Sequence, residues 1–403
     1  MFVITALASG GMLSVMQQFW QRLRRHGVVE VIAHGPNSAT VDIPSREIGL
    51  RRLSSPYRFP HVLVYTLRVC LACVRAVRRG PRPAVLLVQD ALGTGLGAAI
   101  AGRLTGSTVV VMEHGAARTI ETDFFWNVRL PARTLRDRIT RPLLRRTLEL
   151  MHRGVVRLLD VALVPSQESV DLYLARGIDA RRIVRYHVPI DTDRFRPAEG
   201  DERAGLRRQL DLPPEATVIL SVSRLTPEKG IDLLIDAIAA LSSADRETAL
   251  LVIAGDGALR PALERRAASS AVPARFTGPV SADDLPGLLR AADLFVYAAR
   301  QGSNVPVAVL EAMASGLPVV GTTEPIAHVE ILAAGRGMAI PAEDRQAMVD
   351  AISFYLGAPQ ERASAARLGR AYVVEHHSRE VLDRELDAFV DGLAAMAARR
   401  RNR

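Results

Sequence analysis

The chain has 403 residues, 48% of them hydrophobic and 24% charged. That balance excludes a disordered tail, a collagen-like repeat or a disulfide-stapled mini-protein, and leaves room for two or three folded domains. Lys and Arg number 52 against 43 Asp and Glu, but residues 1–200 hold 29 basic and 16 acidic side chains while residues 201–403 hold 23 and 27. Of the 52 basic residues 51 are Arg, and the single Lys is Lys229.

The opening run FVITAL (2–7) reads as a strand that enters a turn at Gly10-Gly11 and then a helix over 12–27. With no basic leader and no apolar run of ~18 residues, the expectation is a protein that is neither exported nor membrane-spanning. Two glycines at a strand-to-helix turn let backbone N–H groups approach an anion; a tight turn without a ligand uses the same pair. Further strands are predicted at VEVIAH (29–34), AVLLVQ (84–89), TVVVMEH (108–114) and VALVPS (161–166), with helices around 61–79 and over 169–177. Cys70 and Cys73 fall on the first of these helices without Cys or His companions, so they read as buried small hydrophobes in a reducing compartment. Residues 116–157 carry ten Arg beside Phe124, Phe125 and Trp126. This segment suits a membrane-surface face, a cleft for an anionic acceptor, or a solvated Arg-rich helix. No nucleic-acid-binding motif accompanies the charge.

From about 187 the chain turns to HVPIDTDRFRPAEGDERAG, dense in Pro, Gly and charge, which reads as a linker. Strands then resume at TVILSVS (217–223), ALLVIAG (249–255), RFTGPV (275–280), LFVYAA (294–299) and LPVVGT (317–322), interleaved with helices at 230–242, 258–269, 283–292 and 306–315. Most strands are nearly continuous Val, Ile and Leu, as a parallel sheet covered on both faces requires. The pattern predicts an α/β chain of two doubly wound, Rossmann-like domains. Their predicted limits are 1–190 and 215–375, joined by a linker at 191–214, with a C-terminal helix at 376–403 crossing back to the first domain.

Ligands of such sheets bind beyond the carboxyl ends of the strands. SVSRLTPEKG places Arg224 and Lys229 at such an end, where a forked guanidinium and a compact ammonium grip a diphosphate and stabilise its departure. Two solvated loop cations are the plain alternative, but the chain's only Lys stands here. Gly255, in Ala254-Gly255-Asp256-Gly257, follows the next strand. In RQGSNVPVAVLEAMASG, Glu311 lies among Val309, Leu310, Ala312 and Met313, placed to accept ribose hydroxyls. Asp191-Thr192-Asp193 spells a metal-binding Asp-x-Asp but lies in the linker, so it reads as capping, and no metal is expected.

In this order and spacing, VILSVSRLTPEKGIDLLIDAIAAL, LLVIAGDG, RFTG and VPVAVLEAMASGLPVVGT resemble the nucleotide-sugar half of retaining glycosyltransferases of family four, which have the GT-B fold. The likeness is close over about 155–345 and extends loosely over the first domain through Gly10-Gly11 and His114. VPVAVLEAMASGLPVV is most similar to the bacterial exopolysaccharide, colanic-acid-type branch. The resemblance implies two Rossmann-like domains facing a central cleft. Arg224 and Lys229 then hold the donor diphosphate, Glu311 the ribose, and Gly255, Ser303, Asn304 and Val305 the donor. Gly10 and Gly11 approach from the opposite domain, and His114 contacts the donor sugar. It further implies transfer with retention and without an enzymatic nucleophile, the leaving phosphate helping to deprotonate the acceptor, with no cofactor or metal. The expected partners are a nucleotide sugar and an acceptor glycan or polyprenyl-linked saccharide, held by the basic first domain in the cytoplasm at the inner membrane face; no nucleic acid is expected.

Three positions depart from the family pattern. The first of its paired glutamates, which seven intervening residues separate from the second at Glu311, is Ser303; Asn-Gly in the linker is replaced by Val188-Pro189-Ile190 before Asp191; and a late Gly-Gly reads Ala327-His328 before Glu330. The same residues also fit a GT-B nucleotide-sugar epimerase using Glu113 and His114 as acid and base, or a non-catalytic subunit that binds nucleotide sugar.

Overall fold

The computed structural model describes residues 1–6, 19–33, 61–81, 83–88, 94–113, 135–302, 305–324 and 327–401. They form two compact units, one of Met1–His187 with Leu382–Arg403 and one of Val188–Val381.

The first unit is built in chain order from β1 (Phe2–Ala6), β2 (Val29–Ala33), α1 (His61–Arg79), β3 (Val85–Val88), α2 (Gly95–Thr105), β4 (Thr108–Met112), α3 (Leu135–Leu158), β5 (Val161–Val164), α4 (Gln167–Ala175) and β6 (Ile183–Arg185). The strands make one parallel sheet in the order β2-β1-β3-β4-β5-β6. β4 is buried at every position, which explains its unbroken β-branched run: helices exclude water from both faces. Of the helix predicted at 12–27, residues 19–23 are helical and the stretch before them lies outside the described residues.

Two elements of this unit have no counterpart in the predicted pattern. α2, GLGAAIAGRLT, is too rich in glycine to read as helix. Its glycines serve packing, since a Cβ on Gly97 would lie 2.4 Å from the Thr66 carbonyl oxygen of α1. β6 is a three-residue edge strand, too short to show a period. Cys70 and Cys73 are buried in the core, and burial pushes the Cys73 thiol up to about 12.

The second unit continues with α5 (Glu202–Gln209), β7 (Thr217–Val222), α6 (Ile231–Ala239), α7 (Ser243–Thr248), β8 (Ala249–Ala254), α8 (Arg260–Ser269), β9 (Ala274–Gly278), α9 (Leu285–Ala291), β10 (Leu294–Tyr297), α10 (Val307–Ala314), β11 (Val319–Thr322), α11 (Ala327–Leu332), β12 (Met338–Ile340), α12 (Arg345–Gly357), α13 (Pro359–His377) and α14 (Arg379–Arg401). Its sheet is parallel, in the order β12-β11-β10-β7-β8-β9, the arrangement of doubly wound nucleotide-binding sheets.

The stretch read as a linker, 191–214, contains α5. Its polar composition hides a buried crosslink: Arg207 donates to the carbonyls of Ala291 (3.0 Å) and Pro214 (2.8 Å) and pairs with Asp293. Asp191 is a capping residue here, its Oδ1 accepting from the Arg194 N–H at 3.2 Å while Arg379 holds Oδ2. From Leu382 onward α14 belongs to the first unit. It buries Leu382, Leu386, Phe389 and Leu393 along one face and presents Asp383 to Arg22, Asp387 to His26 and Glu385 to His187.

Candidate active site

In the second unit the strand order reverses between β7, which leads on to β8, and β10, which lies on its other side. That reversal opens a crevice at the strands' carboxyl ends. The loop leaving β7 is pinned there by backbone contacts, with the Leu225 N–H on the Asp256 carbonyl at 2.9 Å. Gly255 has φ +133°, and a Cβ on it would stand 1.9 Å from the Ser223 carbonyl oxygen, so the predicted glycine lets two loops press together.

A 3-10 turn, Pro227–Lys229, then brings the chain into α6 through Gly230 at φ +63°. Three contacts tie this turn to the end of β10. Lys229 Nζ donates to the Tyr297 hydroxyl at 2.7 Å. The Arg300 N–H donates to the Glu228 carbonyl at 3.0 Å. The Arg300 guanidinium donates to the Pro227 carbonyl at 3.1 Å and grips Asp232 on both oxygens at 2.6 and 2.8 Å. Burial works against the ionised Asp232 carboxyl, yet the Arg300 hydrogen bonds and charge outweigh it and hold the group below its ordinary range. A second carboxylate, Glu343, also pairs with Arg300. Arg224 is looser: its side chain is 63% exposed, and its guanidinium stands 3.3 Å from the buried Glu228 carboxylate.

Glu311 lies on α10, between the buried Leu310 and Ala312. Burial pushes its carboxyl up to about 7, against the opposing pull of Arg194. Among the described residues no side chain hydrogen-bonds to it. Val305 is buried just before α10. Gly10, Gly11, His114, Ser303 and Asn304 lie outside the described residues. Glu113, at the end of β4, is buried, and its carboxylate accepts a hydrogen bond from the Tyr173 hydroxyl at 2.9 Å.

Tyr297 and Arg300 carry no signal of function in the sequence beyond their position, and His328 shows there only as a departure from the family pattern. His328 is fully buried, with Nδ1 2.6 Å from the Thr322 carbonyl and its ring edge-on to Tyr297 at 5.2 Å. Burial lowers it to about 4; the Thr322 contact opposes that shift and the Lys229 charge adds to it. The signal that was available is position, because Tyr297 ends the strand beside the reversal and Arg300 follows it by three residues.

Residues 10–189 match the glycosyl transferase 4-like domain, and residues 216–357 match the glycosyl transferases group 1 model. The chain belongs to glycosyltransferase family four. This family-four chain is 32% identical over 208 residues to a GDP-mannose-dependent monoacylated alpha-(1-6)-phosphatidylinositol monomannoside mannosyltransferase of Corynebacterium glutamicum, covering 50% of the chain and 54% of the relative. It is 40% identical over 166 residues to a D-inositol 3-phosphate glycosyltransferase of Salinispora arenicola, covering 38% and 37%. The match thus spans about half the length of the first of these relatives. Its GT-B fold is shared with Anabaena HepE, solved with UDP, at a TM-score of 0.76 and 18% identity over 97% of this chain and 99% of that one. Sucrose-phosphate synthase of Thermosynechococcus elongatus gives 0.77 and 18% over 98% and 99%.

Proposed function

We propose that this protein moves a hexose from a nucleoside diphosphate to an acceptor hydroxyl with retention of the anomeric configuration. The observation that carries the reading is Lys229, the chain's only lysine, braced at the strand reversal by Tyr297 while Arg300 fixes the turn that bears it. Breaking a sugar–phosphate bond builds negative charge on the leaving diphosphate. A cation already held in place stabilises that charge without reorganising. Arg224 adds a second cation from the solvent side, and Glu311 receives the ribose hydroxyls. The leaving phosphate takes the acceptor proton, so the protein's share is charge stabilisation and positioning. The relatives named for GDP-mannose and the neighbour solved with UDP support a nucleotide-sugar donor. The epimerase reading fares less well, because Glu113, one of its two acid/base groups, is buried against Tyr173.

Thermal denaturation with UDP, GDP, ADP, dTDP and their sugars tests the donor. The true nucleotide at ~100 times its dissociation constant adds about 2.7 kcal/mol of stability, and a panel in which none stabilises the protein overturns the reading. The raised Glu311 group gives the assay a pH signature. A group raised from 4.5 to about 7 in the folded protein keeps its proton below pH 7, and hydroxyl donors favour its ionised form. Donor affinity therefore rises severalfold from pH 6 to pH 8, and Glu311→Gln removes the rise. A pH-independent wild type would contradict the ribose assignment.

The acceptor end of the proposal is a lipid-linked saccharide at an anionic membrane surface. The names of the mannosyltransferase relatives, which concern phosphatidylinositol mannosides, support it. So does the composition of α1 and α2, which contain no acidic residue and expose Leu63, Leu67, Leu71 and Leu104 beside Arg75, Arg78 and Arg103. Among the described residues no helix is long and apolar enough to cross a membrane. The protein is expected to sediment with phosphatidylglycerol vesicles and not with phosphatidylcholine vesicles, and Leu67→Ser with Leu71→Ser to abolish the binding. Equal sedimentation with both lipids, or with neither, removes this part of the proposal.

A further inference from the structure

The hydrogen bond between Lys229 and Tyr297 has a direction. An ammonium only donates, so the Tyr297 oxygen accepts at 2.7 Å. The phenol's own hydrogen then points elsewhere, and among the described residues no acceptor receives it. Tyr297 is the last residue of β10 and is 9% exposed, so this O–H is a nearly dry donor at the rim of the crevice. A phenol that accepts from a cation is polarised into a stronger donor.

The ring has little freedom to turn away. His328 stands edge-on to it, interplanar angle 86°, and is itself held by Thr322. His328 occupies the position where the late Gly-Gly of the family pattern is missing. Its imidazole is fully buried, and Nε2 has no hydrogen-bond partner. With Nδ1 on a carbonyl oxygen, Nδ1 carries a proton, and a buried Nε2 with nothing to donate to carries none, so the ring is neutral. It therefore adds no charge to the crevice and acts on Tyr297 through shape.

We propose that Tyr297 is a second diphosphate-binding donor beside Lys229, its oxygen fixed by the ammonium and its ring by His328, so that ammonium and phenol contact the same leaving group. His328 is the positioning residue of the pair. The inference rests on the nucleotide-sugar reading and adds a residue that the family pattern does not assign.

Tyr297→Phe keeps the ring against His328 and deletes only the hydroxyl. Calorimetric titration of wild type and variant with the stabilising nucleoside diphosphate and with its parent nucleoside separates the possibilities. The expected result is diphosphate affinity down about tenfold, the worth of one hydrogen bond to a charged group, with nucleoside affinity unchanged. In a Lys229→Met background the same change costs much less, because both residues serve one phosphate group. His328→Asn gives a smaller loss confined to the diphosphate. Wild-type diphosphate affinity in Tyr297→Phe, equal losses for diphosphate and nucleoside, or strict additivity with Lys229→Met each overturn the proposal while leaving the donor reading standing. A wild type that binds the nucleoside but gains nothing from its diphosphate overturns both.

Discussion

Lys229→Ala is expected to lower turnover at least ~100-fold, the scale on which losing one preorganised charge contact to a departing group is felt. The fold should survive, since the ammonium bonds Tyr297 at the crevice rim while the turn is held separately by Arg300 on the Pro227 and Glu228 carbonyls. The loss should appear in kcat and kcat/KM together, because the charge it stabilises is greatest after the bond has begun to break. Lys229→Arg should recover only part of the rate. A planar fork cannot present the same point charge while Tyr297 holds it at one atom. Steady-state kinetics with matched circular dichroism and melting curves check both variants, and unchanged turnover in Lys229→Ala would reduce the residue to a surface cation.

Gly230→Ala should be among the most damaging single methyls in the second unit. The residue has φ +63°, and its new Cβ would sit 2.0 Å from the Ala298 carbonyl oxygen. Backbone cannot step aside as a side chain does, so the turn carrying Lys229 and the end of β10 must separate. The combined strain and clash cost about 3–5 kcal/mol. Gly200→Ala is the matched control: it has φ +49° with nothing within 4 Å of the added carbon and should cost only ~1 kcal/mol. Urea unfolding of the two variants compares them directly. A Gly230→Ala protein no less stable than Gly200→Ala would mean that the loops are not in contact.

These positions also show what could be read beforehand. The central strands were legible because helices on both faces demand unbroken runs such as Thr108–Met112. The edge strands Ile183–Arg185 and Met338–Ile340 were not, being three residues each. α2 was hidden by glycines that exist for close packing, and α5 by charges that include a buried Arg207. In the site, Lys229 stood out by rarity. Arg300 did not, because Arg supplies 51 of the 52 basic side chains and nothing local marks the one that clamps Asp232, 68 residues away. Tyr297 looked like an ordinary strand residue, and His328 showed only as a departure from the family pattern. Their partnership exists only once β10 and α11 are brought side by side.

The C-terminal helix has a consequence for the order of events during synthesis. The first unit draws residues from both ends of the chain, Met1–His187 and Leu382–Arg403, while the second is an uninterrupted stretch between them. The second unit therefore emerges from the ribosome whole while the first still lacks the helix that covers Arg22, His26 and His187. Domains fold as units once their residues are available, so the second unit can reach its native state while the half translated first is still exposed. The surface awaiting Leu382, Leu386, Phe389 and Leu393 is where a chaperone would find this protein.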